Sequence, residues 1–449
     1  MRGAPMGRSV ASIVLTVSLT LCFGASAQDG APVLTLEEAI ALALIDNPSV
    51  INADLDIDKS GTDIDVAQAD YFPELKAKVK SVSNLITQNY TFEQGAFGTF
   101  PATGPIPAND TDIGTSSSLS TTVGLTVTQS LSGIYAVMLE VEALSIQERI
   151  AAEQLRLELQ DTAQQVKQQY YQILASESAL EDSQASIALY ESLVDQLTDQ
   201  VAEQTALEYQ LLDAQAELAQ SRLKALEQVN DIASQKEQLN NLMGRDTQQS
   251  FEVTGLLVAP VVDVDGETAR AVALAQRPEM RQAELNIALA EKQIAIDEYG
   301  YVPDVDLIVD YSHNNDDLLP NDSLYVGVVL SWEFYDWGRR SSTIAGDRIS
   351  VSQAMNDLSS TRADVIADVN ASLRDIENAL AAIEAARISQ KAGEEKLRVT
   401  QNRYNEQVAL LSDLFDAEHD LAEANDNYIE AVLDAYEAQA ELSRAMGEQ

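Results

Sequence analysis

With 449 residues, 72 acidic against 28 basic side chains and a formal net charge of −44, the chain lacks the basic balance with which proteins meet nucleic acid. One cysteine in the whole length excludes a disulfide-stapled scaffold.

In chain order, Arg2 and Arg8 precede an apolar run from Val10 to Phe23, followed by Ala25-Ser26-Ala27. That order of charge, apolar run and small residues predicts a cleavable signal peptide over residues 1–27. Cys22 lies inside the run in Leu-Thr-Leu-Cys, outside any lipid-attachment context, so the mature chain is expected to carry neither thiol nor lipid. Export without disulfides suits a bacterial envelope protein. Removing Arg2 and Arg8 leaves 26 of the 28 basic residues against 72 acidic ones. No run of about eighteen apolar residues follows the signal, so a membrane crossing has to be made by a β-barrel.

The mature chain is an internal duplication. Ala43-Leu44, Pro48 and Tyr71-Phe72-Pro73 return as Ala273-Leu274, Pro278 and Tyr301-Val302-Pro303, 230 residues downstream (Pro73 to Pro303). Val123-Gly124, Glu203-Gln204, Ala206-Leu207, Asp213-Ala214 and Met243-Gly244 return as Val326-Gly327, Glu406-Gln407, Ala409-Leu410, Asp416-Ala417 and Met446-Gly447, 203 residues downstream (Gly244 to Gly447). The difference of 27 residues confines one length change to Asn84–Thr122, opposite Asn314–Tyr325. The longer segment, centred on Gln94 to Ser118, is rich in Gly, Pro, Thr and Ser and reads as a surface loop. Its counterpart around His313-Asn314-Asn315-Asp316-Asp317 is short and polar.

Alternating segments flank both loops. Leu75, Ala77 and Val79 interleave with Lys76, Lys78 and Lys80, and Val305, Leu307 and Val309 with Asp304, Asp306 and Asp310. After the loops, Val123, Leu125 and Val127, then Val326, Val328, Leu330, Trp332 and Phe334, repeat the period of two that marks strands with one apolar face. Beyond them no Gly or Pro interrupts Ile134 to Met243, and no Pro occurs from Asn321 to Gln449. Leu211, Leu218, Ala225, Ile232 and Leu239, and Leu414, Leu421, Tyr428, Ala435 and Leu442, recur every seven residues, as coiled-coil helices require.

The predicted layout has a first repeat over 28–246, with strands about 71–84 and 120–132 and a helical hairpin about 133–246 turning near 202–209. A linker covers 247–266. The second repeat, 267–449, has strands about 301–313 and 324–335 and a hairpin about 338–446 turning near 405–412. Four strands cannot close a barrel, so the barrel has to be shared between chains. Lipid would then meet the apolar faces, and the lumen Lys76, Lys78, Lys80, Asp304, Asp306 and Asp310. Tyr71, Tyr301, Trp332, Tyr335 and Trp337 fall near strand ends, as an aromatic girdle would.

Tyr71-Phe72-Pro73-Glu74-Leu75 and Tyr301-Val302-Pro303-Asp304-Val305, Leu36-Glu37-Glu38-Ala39-Ile40 with Asn47-Pro48, and Arg403-Tyr404 followed by Leu411-Ser412-Asp413-Leu414-Phe415-Asp416-Ala417 resemble the TolC family of outer-membrane factors, across the whole mature chain. The resemblance implies a homotrimer with a twelve-strand barrel in outer-membrane lipid, four strands per protomer, and a helical tunnel through the periplasm. It implies a passive conduit for efflux or type I secretion, partnered by a periplasmic adaptor and an inner-membrane transporter, either ABC or proton-driven. The tunnel tip maps to Asn405–Ser412 and Ala202–Tyr209, where Gln407 and Gln204 replace the glycine of many members. Asp413 and Asp416 would form two rings of carboxylates at a periplasmic gate, with Tyr404 beside them; Gln210 stands opposite Asp413 and Asp213 is retained. A solvated helix end is the alternative for these aspartates.

No catalytic constellation, cofactor motif or metal set accompanies this pattern. Asp54-Leu55-Asp56-Ile57-Asp58 opens like a calcium loop but has Lys59 at the sixth position, and Asp263-x-Asp265-Gly266 has Val261 at the first. His313 and His419 have no paired ligand in the sequence and read as structural. The competing reading is a secreted or periplasmic coiled-coil structural protein without a pore, which leaves the four amphipathic strands unexplained.

Overall fold

The computed structural model describes residues 32–83, 85, 89–114, 119–255, 260, 265–315 and 321–448. The expected signal segment, Asp316, Asp317, Val261 and Asp263 lie outside them.

The first copy opens with β1 (Val33–Leu34), α1 (Leu36–Asp46) and α2 (Pro48–Ala69). Thr35 and Glu38 start α1 as a reciprocal cap, the Glu38 N–H donating to Thr35 Oγ1 at 3.3 Å and the Thr35 N–H to Glu38 Oε2 at 3.1 Å. Asn47 caps α2 by accepting from the Ser49 N–H at 2.8 Å, with Pro48 at the first helical position, where its missing N–H costs nothing. Strands β2 (Glu74–Ser83), β3 (Asn89–Phe92), β4 (Thr99–Phe100), β5 (Gly104–Pro105), β6 (Thr111–Gly114) and β7 (Leu119–Ser130) follow, then α3 (Gly133–Ala202), α4 (Glu208–Leu242) and β8 (Glu252–Val253). The second copy supplies α5 (Gly266–Gln276), α6 (Pro278–Tyr299), β9 (Asp304–Asn314), β10 (Asp322–Ser331), α7 (Arg339–Asn405) and α8 (Leu411–Ala445).

The four long strands form one antiparallel sheet in the order β10-β9-β7-β2. Its register puts Leu75, Val127, Val309 and Val326 in one row and Lys76, Thr126, Asp310 and Tyr325 in the next. Among the described residues the outer edges of β2 and β10 are unpaired. The segment read as a surface loop carries short ribbons, β3 pairing with β6 and β4 with β5, and its residues 115–118 lie outside the described ones. Glycines at positive φ (Gly95, Gly98 and Gly104) make its turns, which is why its composition resembles irregular chain. A further short pair, β1 parallel to β8, ties the segment before α1 to the linker.

At about 1.5 Å per residue, the 70 residues of α3 and the 67 of α7 each extend roughly 100 Å. Both run the full height of the helical body, while the shorter helices pack on them in two tiers. Near the sheet, α2 and α6 pack on α3, and α6 on α7; farther away, α4 and α8 pack on α3, and α8 on α7. Where the tiers meet, each copy has its own core. One gathers Ala39, Ala43, Val166, Ile173, Leu239 and Met243. The other gathers Ala269, Ala273, Val369, Ile376, Leu442 and Met446, the same positions at the two repeat offsets. No described helix is long and apolar enough to cross a membrane.

Candidate functional site

The sheet has one apolar and one polar face because its strands alternate and its register keeps like with like. Leu75, Val79, Leu324, Val326, Val328 and Leu330 are each more than 60% exposed, a continuous apolar surface that none of the described residues covers. An exposed apolar patch of this extent marks contact with another chain or with lipid. On the opposite face lie Lys76, Lys78 and Lys80 of β2 and Asp304, Asp306 and Asp310 of β9. Lys76 does not face an aspartate directly. It pairs with Glu74 at 2.7 Å, while Asp310 accepts from Thr126 Oγ1 at 2.7 Å on the intervening strand.

All five aromatic candidates lie at the helix-side end of the sheet. Tyr71 and Tyr301 precede β2 and β9, whereas Trp332, Tyr335 and Trp337 follow β10. Trp332 and Tyr335 thus lie outside the strand predicted to reach about 335, which ends at Ser331. Trp337 is 87% exposed in a left-handed conformation (φ 59°), against Tyr335 at 4.9 Å, and the Arg340 guanidinium sits 5.0 Å above the Tyr301 ring. Aromatic rings half in apolar surroundings and half in water suit a bilayer boundary.

The far end of the helices is built twice. Helix α3 ends with Gln204 at φ 60°, its N–H donating to Val201 O at 3.0 Å and the Thr205 N–H to Gln200 O at 2.8 Å. Helix α7 ends identically, Gln407 at φ 61° donating to Tyr404 O at 2.9 Å and Val408 to Arg403 O at 2.8 Å. These are Schellman closures with glutamine where glycine is usual, so the reversal stays sharp without glycine.

After each reversal the third residue of the next helix reaches back to its cap. The Leu410 N–H donates to Asp413 Oδ2 at 2.9 Å, and the Leu207 N–H to Gln210 Oε1 at 3.1 Å. Asp413 and Gln210 therefore do the same backbone work, although only one carries charge. Asp413 and Asp416 are both exposed. Tyr404 is half-buried in an apolar cluster with Leu411, Leu414 and Tyr190, and this burial raises its pKa.

Sequence reasoning missed the polar contacts inside the wall. The buried Tyr190 hydroxyl donates to the buried Glu418 carboxylate at 2.5 Å, bridging α3 to α8; burial and that bond push the tyrosine pKa far up. A cavity of about 740 Å³ opens beside them, lined by Asp182, Glu217, Lys224, His419 and Asp426 among others. Burial and the neighbouring Asp426 raise the Asp182 pKa. At the junction of the tiers, buried Arg277 donates to Glu279 at 2.6 Å and Asp368 at 3.0 Å. Burial opposes both charges of the Arg277–Glu279 pair, yet their bonds hold arginine above and glutamate below the usual pKa. The Arg277–Asp368 and Tyr190–Glu418 contacts join residues 91 and 228 positions apart, and no local spacing announces them. Asp54, Asp56 and Asp58 lie within helix α2 rather than a loop.

The sequence matches the outer membrane efflux protein family over residues 39–245 and 270–448. The chain belongs to that family. Among solved structures, its fold is similar to that of a membrane protein from Pseudomonas aeruginosa, at 17% identity and TM-score 0.74, covering 92% of this chain and 90% of that one. The outer membrane protein VceC from Vibrio cholerae gives 17% identity and TM-score 0.71 over 92% and 96% of the two chains. The MtrE outer membrane channel of Neisseria gonorrhoeae gives 17% and 0.71 over 92% and 89%. No curated protein matches the chain closely enough in sequence to add to this. As a member of the family, the protein is the outer-membrane channel component of a tripartite pump, a passive conduit and not an enzyme, with its long helices on the periplasmic side.

Proposed function

We propose that three chains close a twelve-strand barrel, β10 of one pairing with β2 of the next, and that their helices enclose a periplasmic tunnel. The observation that carries this reading is a four-stranded sheet that, among the described residues, has an uncovered apolar face and two unpaired edges, standing on helices of roughly 100 Å. Backbone groups on those edges have no water to meet in lipid, so a barrel closed between chains is the arrangement that satisfies them. Residues 1–27 serve as the export signal. A periplasmic adaptor docks at the tip and couples the tunnel to an inner-membrane transporter, ABC or proton-driven.

At the tip, Asp413 and Asp416, three residues apart on one helix face, form carboxylate rings that favour cations at the gate, and Tyr404 packs the hinge beside them. Purified full-length protein in planar bilayers should conduct with cation preference. Asp413→Asn combined with Asp416→Asn, which keeps the acceptor that caps α8, should reduce that preference severalfold. Unchanged selectivity would remove the gate assignment; a soluble, monomeric, non-conducting product would remove the barrel.

A further inference from the structure

Lys78 and Lys80 are unusual in a chain with 72 acidic residues because the paired strand positions on their own face carry no acid at their level, Asp322 lying on the opposite face beside His313. Lys76 is answered by Glu74 at 2.7 Å. The next two rows of the same face hold Lys78 with Gly124, Ser312 and Ser323, and Lys80 with Thr122 and Asn314. Asp304 and Asp306 lie toward the helix-side end of β9, below Asp310. Among the described residues neither Lys78 nor Lys80 has an ion-pair partner.

Distance decides whether Asp310 neutralises them. It lies two strands across and one pleat repeat along from Lys78. At about 4.8 Å per strand and about 6.8 Å per two residues, the separation is roughly 12 Å. That exceeds the screening length of about 8 Å at physiological salt, so Asp310 does not neutralise the outer rows. Across the β2 edge, a neighbouring β10 would bring Ser323, Tyr325, Gly327 and Val329 on this face, none of them acidic.

We propose that Lys78 and Lys80, repeated from chain to chain around the closed barrel, form an anion-binding ring in the outer half of the lumen, suited to small molecules bearing several phosphate or carboxylate groups. The assignment rests on the reading above that this face lines a shared barrel. Three chains contribute six ammonium groups, each a mobile donor of three N–H bonds. A narrow, one-signed wall concentrates counter-ions more than an open surface does. The acidic helical body repels the same anions, so the ring is loaded from the outer side.

The test is block of single-channel current by inorganic tripolyphosphate added to either side of a bilayer holding the full-length protein. Reversible block, stronger from the side of the β3–β6 ribbon, is expected. Lys78→Gln with Lys80→Gln should raise the half-blocking concentration at least tenfold, whereas Lys76→Gln, whose charge is already answered by Glu74, should change it less than threefold. Equal block in the double variant and the parent overturns the site. The facing of the strand is read separately by single cysteines and a membrane-impermeant, negatively charged thiosulfonate. Modification of Lys78→Cys that changes conductance, with Leu75→Cys inert, upholds the lumen assignment. The reverse pattern overturns that assignment and the ring with it.

Discussion

Each long hairpin is closed at its tip and at its return to the equator by the same hydrogen-bond pattern, but with different residues. At the tip the left-handed position is Gln204 or Gln407; at the equator it is Gly244 or Gly447, at φ 65° and 82°. The difference lies in what stands opposite. A side chain on Gly244 would put its Cβ 2.0 Å from the Asp46 carbonyl oxygen, and one on Gly447 would meet the Gln276–Arg277 peptide at 3.0 Å. Both tip glutamines are exposed. A left-handed backbone alone costs an L-residue roughly 1–2 kcal/mol, which this fold tolerates. Close approach of a second helix end does not tolerate a Cβ, and that is where glycine is required.

Gly244→Ala is expected to break the comparison most severely, destabilising by about 3 kcal/mol through backbone clash added to the left-handed strain, read from the midpoint of urea unfolding. If it costs no more than alanine at an open left-handed site, the close approach is not what demands glycine. Gln407→Gly and Gln204→Gly should do the opposite. Each relieves strain but adds unfolded-state freedom, for a net stabilisation of about 0.5 kcal/mol.

The smallest expected effect is in acid. Glu279 and Glu441, at the equator, are held below their usual pKa, Glu441 by its bonds to Arg444 and Gln164. Their contribution is complete above the unfolded value of about 4.3 and is lost as pH falls through the depressed folded value. Asp182, in the lower coil, is shifted upward, so its contribution has the opposite sign: present below about 3.9 and lost as pH rises through its folded value. Amide exchange at pH 3.5 should therefore loosen the equator before the coil around Asp182, and Asp182→Asn should stabilise at pH 7 by a few tenths of a kcal/mol.

The long elements were legible because their signals are local and repeated. The alternation from Leu75 to Lys80, the Gly- and Pro-free helices and the paired offsets each report a period, and periods follow from backbone geometry. The ribbon from Asn89 to Gly114 was not legible as strands, since its glycines and prolines mark turns without saying what the turns connect. At the tip, sequence located both reversals but could not separate Asp413 as a charge from Asp413 as a cap. The reach-back shared with Gln210 shows the cap, and it depends on a backbone position. The Tyr190–Glu418 and Arg277–Asp368 contacts had no sequence signal, because each joins helices that meet only in the folded wall.

The sheet order has a consequence in parity. Strands β2 and β10 run in opposite directions at opposite edges, so any seam joining β10 to the next β2 is antiparallel, however many chains share the ring. The strand total is then always even, without any special junction. One repeat alone, with two such strands, would close the same ring from six identical pieces. Joining two repeats in one chain halves the number of separate subunits that must meet. It also lets alternate hairpins diverge, so that the ribbon grown between β2 and β7 would stand at every second position around the rim of the proposed barrel.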